Sequence, residues 1–159
     1  MQEKIYTVSK IFEKENILFS KAILKDHLNP LTKSAKKSVD IHHIFPKTYC
    51  QNMNYPMEMC DSIINKTPLL AASNRSIGGN PPSVYSAKII KEASLSQSEF
   101  RKRVESNLID YEAFINNDFR KYFINRARRI MLLIEQVMGK PITDKDSEQT
   151  IELFGSSLA

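Results

Sequence analysis

Tryptophan is absent from this 159-residue chain, and it has only two cysteines, Cys50 and Cys60. Without tryptophan, and with Phe and Tyr falling mostly on helical periods, it lacks the aromatic-rich stacking platform of single-strand nucleic-acid binders. The cysteines form no CxxC pair and have no second pair to complete a zinc ribbon, so they read as free thiols of a reducing compartment. No run of about eighteen apolar residues occurs, which leaves no candidate for a membrane-spanning helix. The N-terminal segment MQEKIYTVSK lacks a basic start, an apolar core and a small-residue cleavage site, and the expected location is cytoplasmic. There is no internal repeat and no low-complexity tract.

What is present is ordinary for a folded domain: 42% hydrophobic and 26% charged residues, too apolar for a disordered chain. The length suits one domain, 1–159, able to bury its own core. A formal charge of +5 and a pI near 9.2 suit an anionic partner without establishing one.

Along the chain, Ile5, Val8, Phe12, Phe19 and Ile23 share a helical period, which predicts an amphipathic helix over 2–26. His27 then reads as a helix-end residue meeting free carbonyls. Asn29-Pro30 and the lysine-rich 32–37 predict a loop. In residues 38–45, SVDIHHIF, β-branched and polar residues alternate before Pro46, and a short strand is expected. From Lys47 to Met59 no periodicity survives, so an irregular connection is expected. Asn65–Leu70 reads as a second strand, and Pro68 confines it to an edge. A short helix over 73–77 should stop at Gly78-Gly79.

The remainder reads as helical. One helix is expected from Ser83, as N-cap, to about Glu92. A second is expected over 97–108, with Ser96 and Glu99 as capping box and Leu95 and Phe100 as staple. The longest is expected from Asp118 to Met138, with Phe119, Phe123, Ile130, Ile134 and Val137 on one stripe and a stop at Gly139 and Pro141. The polar tail, 140–159, is expected to fray. The whole is an α+β domain, mostly helical, with a core at 38–80 and helical flanks at 2–26 and 83–139.

Four short elements carry chemistry: Asp40-Ile41-His42-His43-Ile44-Phe45-Pro46-Lys47, Ile64-Asn65-Lys66, Ser73-Asn74-Arg75 and Asn80-Pro81-Pro82-Ser83. On a strand Asp40 and His42 point to one face and His43 to the other, so one histidine can hold a metal while its neighbour acts as a base. Hydrolysis of a phosphodiester needs an activated water, neutralised transition-state charge and a stabilised leaving oxygen. A histidine with an ordinary pKa near ~6.5 can accept the proton from water at neutral pH. A hard divalent cation, which prefers oxygen ligands and keeps several waters, suits His42, Asn74 and Asp40.

This set of elements resembles the HNH (His-Me finger) nucleases, most closely the C-terminal HNH domain of GmrSD-type modification-dependent restriction proteins. The run from Ile63 through Asn65, Asn74 and Arg75 to Ser83 is similar also to the HNH domain of the RNA-guided CRISPR nucleases. The resemblance covers residues 38–90 and, more loosely, the helix around Arg126. It implies a ββα-metal finger embedded among flanking helices, with His43 as the base, Asn74 and His42 as metal ligands, and Asn65 as the residue that fixes the loop carrying the base. It implies one Mg²⁺-class ion (Mg²⁺, or Mn²⁺), DNA cut to 5′-phosphate and 3′-hydroxyl ends, and a defence setting with an N-terminal sensor or NTPase region, or a partner subunit, elsewhere. The final histidine of the motif is Asn74 here, and the gap between His43 and Asn65 is longer than in the CRISPR domains, as for an inserted loop.

Each residue also has a plainer reading. His42 and His43 can be half-buried strand histidines bonded to backbone, and Asn65 and Asn74 can be turn or cap residues. Lys47, Lys66 and Arg75 suit either phosphate contact or solvated charge. Arg126 falls inside an apolar stripe and needs a partner: a buried carboxylate, or a phosphate. Two rival functions are a catalytically silent DNA-binding module and an RNase or toxin built on the same finger.

Overall fold

A computed structural model describes residues 39–70 and 77–159, without the side chains at 39, 40 and 68–70. The expected helix over 2–26, His27, the loop at 29–37 and the segment 73–76 lie outside the described residues. Within them the chain is mostly helical with one small two-stranded sheet, an α+β composition.

Strand β1, Val39–His43, pairs antiparallel with β2, Lys66–Leu70, in the register Val39↔Leu70 to His43↔Lys66. Pro68 sits opposite Ile41 in that ladder, where a two-stranded sheet has no central strand for its missing N–H to disrupt. The strand expected over 38–45 ends at His43 because the next two amides turn onto Asn65: Ile44 N donates to its carbonyl at 2.8 Å and Phe45 N to its side-chain oxygen at 2.9 Å.

The connection from Lys47 to Met59 is not irregular. It holds two short helices, α1 at Lys47–Asn52 and α2 at Met57–Cys60, each entered from a proline, Pro46 and Pro56. Neither is long enough for a 3.6-residue period to show, and together they bury only Cys50, Met59 and Cys60. A 3₁₀ turn, Ile63–Asn65, follows, with the Ser62 hydroxyl accepting from Ile64 N. Ile77 is helical and Gly78 turns at φ +59°, as the double glycine predicts, while a Cβ on Gly79 would come within 2.7 Å of Thr48 Oγ1 on α1.

Helix α3 runs Pro82–Glu92 with Pro81, not Ser83, at the N-cap. A proline has no capping side chain, and the cap comes from far along the chain: Asn117 Oδ1 accepts from Ser83 N at 3.0 Å and its Nδ2 donates to Ser83 Oγ at 2.7 Å. Helix α4, Gln97–Glu105, carries the expected capping box and stops short of 108, where Leu108 turns at φ 61°. An unforeseen short helix, α5 at Tyr111–Ile115, is capped by Asp110. Helix α6, Phe119–Met138, starts at Asp118 and ends on left-handed Gly139 as predicted.

Helix α6 buries Phe119, Tyr122, Phe123, Arg126, Ala127, Met131 and Ile134. Val137, expected on this stripe, is 79% exposed, because the buried face drifts toward Met131 and the partly buried Met138 in the last turns. The core is an aromatic spine. Phe45 meets Phe119 at 5.2 Å and Tyr122 at 4.7 Å, and Phe123 carries the contact on to Phe154 at 5.8 Å.

Phe154 belongs to α7, Glu148–Phe154, so the C-terminal tail is ordered and not frayed. Phe154 and Leu158 are buried, and Arg128 Nη2 donates to Ser157 O at 2.7 Å. The tail is also fastened at Glu135, which accepts from Ile142 N at 2.7 Å and pairs with Lys145 Nζ at 2.6 Å. The Lys145 hydrogen bond holds the Glu135 carboxyl below its ordinary range. A depressed carboxyl stabilises the fold above its unfolded value and loses that contribution as pH falls through the folded one. Glu135→Gln is therefore expected to speed hydrogen exchange at 142–158 at neutral pH, with 39–70 unchanged. Wild-type exchange in the tail should approach the variant's in acid; equal exchange at neutral pH would show that the fastening contributes nothing.

Candidate active site at the end of the hairpin

Alternation along β1 puts His42 and His43 on opposite faces. His42 is 9% exposed, and His43 at the end of the strand is half-buried. The chain then turns into the core at Ile44 and Phe45 and back out at Lys47, which places His43, Lys47 and Lys66 around one carboxylate, that of Asp61.

Asp61 caps the C-terminal end of α2. Its Oδ1 lies 3.1 Å from His43 Nε2, 3.1 Å from Lys47 Nζ and 2.9 Å from Lys66 Nζ. The hydrogen bond from Lys66, joined by those from His43 and Lys47, holds this carboxyl well below the usual range, so it is ionised. Burial lowers the His43 pKa, as do the charges of Lys66 and Lys47, against the hydrogen bond to Asp61. The ring is therefore neutral at pH 7 and can accept a proton.

The backbone that carries His43 is fixed from below. Asn65 is fully buried, and its amide closes the loop in both senses: Oδ1 accepts from Phe45 N at 2.9 Å, while Nδ2 donates to Phe45 O at 2.9 Å and to Cys60 O at 2.8 Å. Two tyrosines add further ties. Tyr85 Oη donates to Ile44 O at 2.8 Å and Tyr122 Oη to Ile64 O at 3.0 Å. Burial pushes the Tyr122 phenol up to about 12, so it remains a donor.

Among the described residues Arg126 meets main-chain carbonyls and no carboxylate. At 6% exposure, it donates from Nη1 to the carbonyls of Ile64 and, at 2.9 Å, Lys66, and from Nε to Asn107 O at 3.3 Å. Its planar fork straps α6 to the start of β2. Among the described residues it forms no ion pair, and this burial leaves it little surface to offer a phosphate.

Of the nine residues singled out in the sequence, the structure brings together His43, Lys47 and Lys66 on Asp61, and seats Asn65 and Arg126 beneath them. Asn74 and Arg75 lie outside the described residues, as does the Asp40 side chain. Among the described residues no group of three or more His, Cys, Asp or Glu side chains is placed to hold a metal. Asp61 was missed by the sequence reading. The signal was an aspartate four residues before Asn65, but only the return of the chain through α1 and α2 brings it to His43.

Over 80 residues, 48% of its length, the chain is 38% identical to the uncharacterized protein MJ0686 of Methanocaldococcus jannaschii. It spans about 13% of that relative. No family profile and no solved structure matches the chain. No helix among the described residues is long and apolar enough to cross a membrane.

Proposed function

We propose that this chain is a metal-dependent endonuclease domain of the HNH (His-Me finger) kind, which hydrolyses phosphodiester bonds of DNA with His43 as general base. The observation that carries the reading is a half-buried imidazole at the end of a hairpin strand, beside two lysines, on a loop locked by the buried Asn65. The antiparallel pair β1–β2, with helical Ile77 before Gly78, is compatible with the two strands and the helix end of a ββα-metal finger.

In the reaction His43 takes a proton from water as the water oxygen bonds to phosphorus and the bond to the 3′ oxygen breaks. The ends are a 5′-phosphate and a 3′-hydroxyl. Lys47 and Lys66 stand where an approaching phosphate would meet positive charge. His42 and Asn74, with Asp40, would hold the ion, a mixed oxygen and nitrogen donor set of the kind that suits Mg²⁺ or Mn²⁺. When bound, the ion would supply Lewis-acid stabilisation of the phosphate and leaving oxygen. The small share of MJ0686 that the chain covers fits the cutting part of a larger cytoplasmic defence protein whose sensor or NTPase region lies elsewhere.

The test is nicking of supercoiled plasmid with Mg²⁺ or Mn²⁺, with a chelator control and RNA alongside. His43→Ala is expected to slow metal-dependent nicking roughly a hundred- to ten-thousandfold without unfolding the chain, since the side chain is half-buried at the strand end. Activity that survives the substitution would overturn the mechanism. Cleavage of RNA alone would make the domain an RNase, and DNA binding without cleavage a silent module.

A further inference from the structure

Among the described residues Asp61 is the acidic side chain at His43, and it reaches the ring through the fold of the α1–α2 insertion. An ionised carboxylate has no proton to give, so a ring nitrogen 3.1 Å from Oδ1 must be the donor. The contact therefore selects the protonation site: Nε2 carries the hydrogen and Nδ1 keeps the lone pair. A single hydrogen bond to a mobile carboxylate would orient a ring poorly. This carboxylate is held at the same oxygen by Lys47 from the first turn of α1 and by Lys66 from the first residue of β2. Neither lysine neighbours Asp61 in sequence, so the carboxylate is clamped from both sides of the insertion.

We propose that Asp61 is a positioning residue for His43, fixing the imidazole as the Nε2–H tautomer so that Nδ1 is the nitrogen that accepts the water proton. The proposal rests on the reading of His43 as general base. It also gives the insertion between His43 and Asn65 a role, that of returning a carboxylate to the base. The two lysines hold Asp61 in the free protein and carry the charge that a bound phosphate would share.

Two measurements on the whole chain separate this proposal from the nuclease reading. The first is the ring ¹⁵N–¹H correlation spectrum of His43 in the metal-free protein. Wild type is expected to show a slowly exchanging proton on Nε2. Asp61→Asn, which keeps the shape, should lose that protection because its amide can either accept or donate. Asp61→Glu should restore it in part. A ring proton on Nδ1 in wild type, or a spectrum unchanged in Asp61→Asn, would overturn the proposal whether or not the protein cuts DNA.

The second measurement is cleavage kinetics. Asp61→Asn is expected to lower kcat about ten- to a hundredfold. KM should hold or fall, because the lysines are released toward phosphate. A purely structural role for Asp61 would raise KM as kcat falls, and that pattern would also overturn the proposal. If wild type is inactive on every nucleic acid, the nuclease reading fails while the spectrum still decides the ring contact.

Discussion

Asn65→Ala is expected to destabilise the fold by about 3–5 kcal/mol, measured by urea unfolding, an effect at the upper end for single substitutions. The side chain is fully buried and joins three main-chain groups that have few other partners: Phe45 N, Phe45 O and Cys60 O. Alanine would leave Phe45 N, Phe45 O and Cys60 O without that partner in the core, and a water entering the gap would replace the amide only in part. Loss of the tie to Cys60 O would also loosen the insertion that delivers Asp61. Asn65→Asp sharpens the test, since it retains an acceptor for Phe45 N but can donate to neither carbonyl when ionised. It should fall between wild type and alanine at best. Two variants as stable as wild type would mean that the loop is held by its aromatic packing alone.

Arg126→Ala carries the second large effect, about 2–4 kcal/mol, because hydrogen bonds to a charged donor are stronger than neutral ones and the bond to Ile64 O is buried. The loss is less than that of Asn65 because Ile64 O keeps Tyr122 Oη as a donor. Arg126→Lys should recover only part of it: an ammonium is a point donor and cannot span Ile64 O, Lys66 O and Asn107 O as the guanidinium does. If the arginine acts through the fold, the salt dependence of the proposed DNA binding is expected to be unchanged in the folded variant. A slope reduced by about one, with stability intact, would make Arg126 a phosphate contact instead.

These two residues show where a sequence is legible. The polar Asn65 could be singled out from a short motif, and the structure shows its amide tying Phe45 to Cys60. Arg126 announced itself as a charge inside an apolar stripe, which correctly implies a buried partner. Its partner could not be named, because carbonyl oxygens leave no trace in sequence. The same limit explains the cap of α3, where Asn117 serves Ser83, 34 residues earlier, so that the cap is not the Ser83 side chain that the sequence suggests. It explains the tail as well: Phe154 and Leu158 are isolated in a polar stretch and gain their meaning only against α6.

The sequence by itself determined whatever depends on near neighbours. The capping box at Ser96 and Glu99, the Asp118-to-Gly139 limits of α6, the edge-strand character forced by Pro68 and the opposite faces of His42 and His43 all follow from rotations about adjacent bonds. Only the tertiary structure decided that α1 and α2 form where no period is visible, and that Asp61 returns to His43 with Lys47 and Lys66 on the same oxygen. A charged cluster of that kind is specified by distances across space, and its members gain stability only once burial of Phe45, Phe119 and Tyr122 has fixed the loop between them.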